Sequence, residues 1–146
     1  MTNPCFELHP QLAADCFELG HFPLSRLLLM NEARYPWLIL VPERASITEI
    51  HALEPSDQLQ LIVESSALSR HMKHQLGADK MNLAAIGNRV PQLHLHHVAR
   101  YRGDAAWPAP VWGRFSPEPY RDDQRALLLK RLDLHQLPDF VPAQGG

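Results

Sequence analysis

Cysteine, charge of one sign and long apolar runs are all scarce in this chain, and each scarcity removes a class of protein. Two cysteines, Cys5 and Cys16, stand in 146 residues without any Cys-x-x-Cys element. A zinc ribbon or knuckle is excluded on ligand count unless histidines contribute, and reduced thiols in a cytoplasmic protein are the simplest account. No apolar run approaches the roughly 20 residues of a membrane span, and Met1-Thr2-Asn3-Pro4 has neither the basic nor the apolar character of a leader. Fourteen basic against 16 acidic residues leave a net charge of −2. That balance offers no global attraction to nucleic acid or anionic membranes, so an anionic ligand must be held by local donors. No internal repeat or low-complexity tract is present. At 45% hydrophobic, the chain is long enough for one domain over 1–146 and short for two.

What is present divides into periodic segments. Gln11 to Leu19 reads as a short helix, with Pro10 at its start and Gly20 placed to stop it. Leu27 to Met30 and Trp37 to Val41 read as strands joined by the polar turn Asn31-Glu32-Ala33-Arg34. Leu61, Leu68, Met72 and Leu76 recur at helical spacing. They predict a long helix from about Pro55 to Leu76, with Asp57 in the first turn and Gly77 ending it. Lys80 to Ile86 alternates as a strand, and Gly87, Asn88 and Pro91 mark a turn before the next one. Near the C-terminus, Leu127-Leu128-Leu129 with Leu132 belongs to a helical extension over about 120–137 that packs onto the domain. It lacks the broad basic face of a membrane-binding helix.

Of nine histidines, three cluster in Gln92-Leu93-His94-Leu95-His96-His97-Val98-Ala99-Arg100. Successive strand side chains alternate, so Gln92, His94 and His96 share one face while Leu93 and Leu95 enter the core, and His97 points the other way. A neutral imidazole can attack phosphorus or ligate a metal, and the motif alone does not decide. His-x-His also occurs on ordinary exposed strands. No Asp or Glu lies within the motif to complete a metal site. The preceding turn would bring backbone N–H groups, the Asn88 amide and the Arg89 guanidinium beside the histidines, and those donors suit a phosphate. His9, His21, His51 and His135 are scattered and read as surface or structural. His71 and His74 sit near a helix C-terminus, where the helix dipole favours them without any metal.

The motif resembles the histidine triad signature, His-φ-His-φ-His-φ-φ. Aligned on Arg100, His94 takes the place of the nucleophile, His96 the third histidine, and Gln92 the first. Leu27-Leu28-Leu29-Met30-Asn31, then Pro36 and Leu38-Ile39-Leu40-Val41-Pro42, is similar to the family's first two strands. The likeness runs over about 5–115. It implies an α+β fold, an antiparallel sheet of about five strands with a long helix and flanking short helices. It also implies a hydrolase or transferase acting at the α-phosphate of a dinucleoside polyphosphate or nucleotide phosphoramidate through a nucleotidyl-histidine. In that reading Gln92 and His96 fix phosphate oxygens and the imidazole orientation, Asn88 and backbone amides stabilise charge, and Arg89 binds the substrate phosphate. Asn31 holds the ribose, and Leu29 and Phe6 lie against the base. No cofactor is required, although magnesium can accompany a polyphosphate, and a two-fold homodimer is implied.

Three departures bear on activity. Gln92 cannot take up a proton. Trp37 or Leu38 falls where many members carry another histidine, and His97 fills a usually apolar position. The alternative is therefore a nucleotide-binding regulatory protein with little turnover. Finally, Trp107-Pro108-Ala109-Pro110-Val111-Trp112-Gly113 forms a stiff amphipathic loop that reads first as a core or dimer contact, with Trp112 or Arg114 reaching the substrate as the lesser expectation.

Overall fold

A computed structural model describes residues 5–144, so the opening Met1–Pro4 lies outside the described residues. The segment 37–42 is apolar throughout, as suits a strand buried on both faces. It forms β3 (Trp37–Pro42) inside a six-stranded sheet. Around it lie β1 (Cys16–His21), β2 (Ser25–Met30), β4 (Lys80–Ala84), β5 (Leu95–Arg100) and the short β6 (Val141–Pro142), in the order β4-β5-β3-β2-β1-β6 with antiparallel pairing at each step. The long helix α2 (Pro55–Leu76) begins at its proline and ends at Gly77. There φ of +62° lets the Gly77 N–H turn back to the Lys73 carbonyl. A second helix, α3 (Asp122–Leu132), packs against α2. Among the described residues no helix is long and apolar enough to cross a membrane.

Strand alternation sorts the side chains into two layers. Leu27, Leu29, Leu38, Leu40, Leu95 and Ala99 pack with Leu61, Leu68 and Met72 of α2. On the opposite face, Leu28, Ile39, Val41 and Val98 pack with Leu12, Tyr35, Ala106 and Val111 from the N-terminal segment and the loop after β5. His97 belongs to the first layer. Its Nδ1 donates to the Leu95 carbonyl at 3.0 Å and its Nε2 accepts from Ser65 of α2 at 2.7 Å, so both nitrogens serve the core.

Three features depart from the sequence reading: a sixth strand, β6, joins the sheet, β5 begins at Leu95 so that Gln92 and His94 precede the strand they were expected on, and the N-terminal helix is shorter. The helix expected over Gln11 to Leu19 ends early as α1 (Pro10–Asp15), and the chain continues as β1. Phe17 and Leu19, two apart, both pack into the α2 layer, a period-two pattern that an available β2 edge makes the better solution. Gly20 accordingly sits beside a register shift in β1 at φ +151°, where an added Cβ would lie 2.2 Å from the Val141 carbonyl oxygen. It permits β6 to approach; it does not stop a helix.

Candidate functional site

Just before β5, the His94 Nδ1 lies 2.7 Å from the main-chain oxygen of Gln92. A carbonyl can only accept, so Nδ1 carries the proton, and in the neutral ring Nε2 is the nitrogen with the lone pair. One pleat further, His96 Nδ1 lies 2.9 Å from Trp37 Nε1. An indole can only donate, which makes this nitrogen the acceptor and leaves the proton on Nε2. The two imidazoles are largely buried and meet edge to face, centroids 4.7 Å apart. Burial, with the neighbouring rings of His94 and His97 adding to it, pushes His96 down to about 3.

These side chains line a cleft of about 690 Å³ on the sheet face opposite α2, together with Met30, Trp37, Trp112, Arg114, Phe115, and Asn88 and Arg89 of the turn. A second cavity of about 400 Å³, walled by Glu49, His51, Gln58 and Gln92, also touches His94. The two share Ile86, Gly87 and His94, so His94 stands at their junction.

The wall formed by the loop after β5 depends on Arg100. Its buried guanidinium donates to both Asp104 oxygens at 2.7 and 3.0 Å and to Asn82 at 2.9 Å. Asp104 also receives the N–H groups of Tyr101 and Trp107. Burial alone would raise the Asp104 carboxyl, but these donors outweigh it and hold the group at about 2. The pinned turn returns the chain so that Trp112 packs edge-on against His96 and Trp37, at 5.6 and 5.9 Å between centroids. Beyond it, the Asn31–Arg34 turn grips the next segment. Asn31 Oδ1 accepts from the Tyr120 N–H at 2.8 Å, Ala33 N–H donates to Glu118, and Arg34 donates to the Ser116 carbonyl.

His94, His96, Asn88 and Arg89 thus converge as the sequence suggested, and four expectations are revised. Leu29 is buried in the α2 layer on the far side of the sheet, because alternation gives the cleft face to its neighbour Met30. The Gln92 amide is spent on the N-terminal segment, accepting from His9 N–H at 2.9 Å and donating to the Glu7 carbonyl at 2.8 Å, so what Gln92 offers His94 is its main-chain oxygen. Asn31 has its oxygen engaged by Tyr120 and is not among the cleft-lining residues described. Phe6 packs on the cleft face, under the Arg26 guanidinium with 5.2 Å from it to the ring centroid, and outside the lining set. Trp37 was visible in the sequence only as a missing histidine, and Trp112 was expected first as a core contact. No local pattern reports an indole held against an imidazole 59 residues away. Among the described residues, no group of three His, Cys, Asp or Glu side chains could hold a metal ion.

Comparison with known families matches residues 11–103 to the HIT domain. A crystal structure of a histidine triad protein from Marinobacter aquaeolei VT8 is similar at 52% identity, with a TM-score of 0.88 over 91% of this chain and 98% of that one. Histidine triad proteins from Bradyrhizobium japonicum and Sinorhizobium meliloti 1021 are similar at 42% and 41% identity. Their TM-scores are 0.88 and 0.85, over 92% and 88% of this chain and 99% and 95% of theirs. No match was found among curated proteins.

Proposed function

The chain belongs to the histidine triad family, and from that premise we propose that it is a nucleotide hydrolase or transferase that attacks the α-phosphate with His94. The observation that carries this reading is the tautomer of His94. Its Nδ1 proton is committed to the Gln92 carbonyl, and its Nε2 lone pair is left for a cleft that also holds Asn88, Arg89 and Arg114.

The Nε2 lone pair forms a bond to the α-phosphorus as the bond to the leaving oxygen breaks, its electron pair departing with that oxygen. The phosphorylated ring is then cationic, and the Gln92 carbonyl stabilises it through Nδ1–H. Water next displaces the ring, restoring the Nε2 lone pair and releasing one proton to solvent. Throughout, His96 Nε2–H, the Asn88 amide and the Arg89 guanidinium offer donors to the phosphoryl oxygens. Met30 and Trp112 provide apolar surface for the base, and Asn31 holds the wall behind it in position. A polyphosphate substrate brings its own magnesium if it carries any.

The second reading, a nucleotide-binding regulatory protein, is favoured by one observation: Gln92 cannot take up a proton where the first triad histidine stands. Rapid quenching with a nucleotide labelled at the α-phosphate, followed by peptide mass spectrometry, separates the two. An adduct on His94, lost together with nucleoside monophosphate release in His94→Ala, is the expected result. Nucleotide bound at micromolar levels without adduct or turnover would instead establish the binding protein.

The assembly proposed is a two-fold homodimer. Leu59, Ile62 and Val63 on α2 are 71%, 58% and 61% exposed. Leu83 of the edge strand β4 is also exposed and pairs with His97, which places it on the α2 side of the sheet.

A further inference from the structure

We propose that Trp37 locks His96 as a neutral hydrogen-bond donor, and that the site consequently cleaves nucleotides whose leaving group departs as a phosphate anion, excluding conjugates whose leaving amine must first be protonated. This rests on the reading of His94 as nucleophile and deepens it to the class of bond broken.

Trp37 Nε1–H fills the Nδ1 lone pair of His96 at 2.9 Å. For His96 to become cationic it would have to take a proton on that nitrogen, leaving a buried indole N–H facing an N–H with no acceptor between them. Trp112 packs edge-on against both rings and holds them in this pairing. The low value of about 3 for His96 agrees with this geometry. His96 therefore presents Nε2–H as a donor and has no ionisable proton to give near neutrality.

The remaining groups of the cleft do not replace it. Its other lining side chains that carry titratable or charged groups are His94, which is the nucleophile, and Arg89 and Arg114. Guanidinium groups do not release protons in proteins. The Gln92 amide is no acid. Glu49 and His51 are exposed and lie in the neighbouring cavity.

The chemistry of the leaving group then discriminates. In a phosphoanhydride, the phosphorus–oxygen bond breaks and the electron pair leaves on a phosphate oxygen that is stable as an anion. No proton is needed, and among the described residues neither Arg89 nor Arg114 is held in an ion pair, so both can face that charge. In a phosphoramidate, the phosphorus–nitrogen bond cannot release an amide anion in water, so the nitrogen must gain a proton as the bond breaks. This cleft lacks the acid for that second reaction.

The test compares diadenosine triphosphate with an adenosine phosphoramidate of a simple alkylamine, and adds histidine-selective 15N NMR of the same protein. Anhydride turnover should exceed phosphoramidate turnover by about 10²–10⁴-fold, the size of a general-acid contribution. His96 should keep Nδ1 unprotonated and Nε2 protonated from about pH 5 to pH 8, across the range in which an ordinary imidazole titrates. Trp37→Phe keeps an aromatic ring but removes the donor. In that variant His96 should titrate within the range, and the anhydride preference should shrink. A phosphoramidate cleaved within about tenfold of the anhydride overturns the proposal, and loss of that cleavage in His51→Asn would identify the acid that overturned it. Titration of wild-type His96 in that range overturns it as well. If neither substrate is cleaved and His94 is not labelled, the nucleophile reading falls first and takes the bond assignment with it.

Discussion

Arg100 and Asp104 illustrate how a residue far from the chemistry sets the site. Their side chains are 1% and 5% exposed, and among the described residues Arg100 finds its only counter-charge in Asp104, which also accepts from backbone N–H groups of the turn. Removing the acceptor leaves a guanidinium buried without its counter-charge, a change that typically costs about 3–5 kcal/mol. Asp104→Asn should therefore lower the unfolding free energy by about that amount, and Trp112 should lose its fixed contact with His96. Equilibrium unfolding followed by tryptophan emission measures both, and a loss below about 1 kcal/mol would contradict this account of the loop. At this scale the sequence exposed His94 and His96, because a period of two is visible within nine residues. It did not expose the partners that set their tautomers. Trp37 lies 59 positions from His96, and the Gln92 group that matters is a carbonyl that every residue has.

At the scale of elements, α2 was legible to its first and last residue, since apolar spacing, a starting proline and a terminating glycine agreed over 22 positions. The short α1 and β1 were not. Six residues of each carry too little periodicity to separate helix from strand, and the decision came from pairing with β2. The exposed face of α2 carries its own prediction. Leu59, Ile62 and Val63 follow i, i+3, i+4 spacing, and β4 leaves one edge of the sheet unpaired. Sedimentation of the wild type should give twice the chain mass and Ile62→Glu the mass of one chain. A wild type that stays monomeric at micromolar concentration would refute the dimer.

For the whole molecule, two buried imidazoles tie folding to pH. His96 and His97 are held at about 3 and about 4, burial being the first cause for each, against about 6.5 in an unfolded chain. Between those values the unfolded chain binds up to two more protons than the folded one, so stability rises with pH across the window. It is fully present above about 6.5 and is lost as pH falls toward 4, by about 1.4 kcal/mol per pH unit for each proton. Urea midpoints should accordingly drop between pH 7 and pH 5, and His97→Gln should remove part of that dependence. Identical midpoints at the two pH values would show that neither imidazole is held neutral by the fold.

By itself the sequence determined the alternation that gives the sheet two faces, the long helix that covers one of them, and the pair of histidines on the other. Those are local periodicities, readable wherever apolar and polar residues repeat with the pitch of the backbone. The tertiary structure alone decided which cleft wall each neighbour joins. It assigned the cleft face to Met30 over Leu29, spent the Gln92 amide on the N-terminal segment, and brought Trp37 and Trp112 onto His96. Such assignments depend on strand register and on a loop folded back by a buried ion pair, and register is a property of pairs of segments.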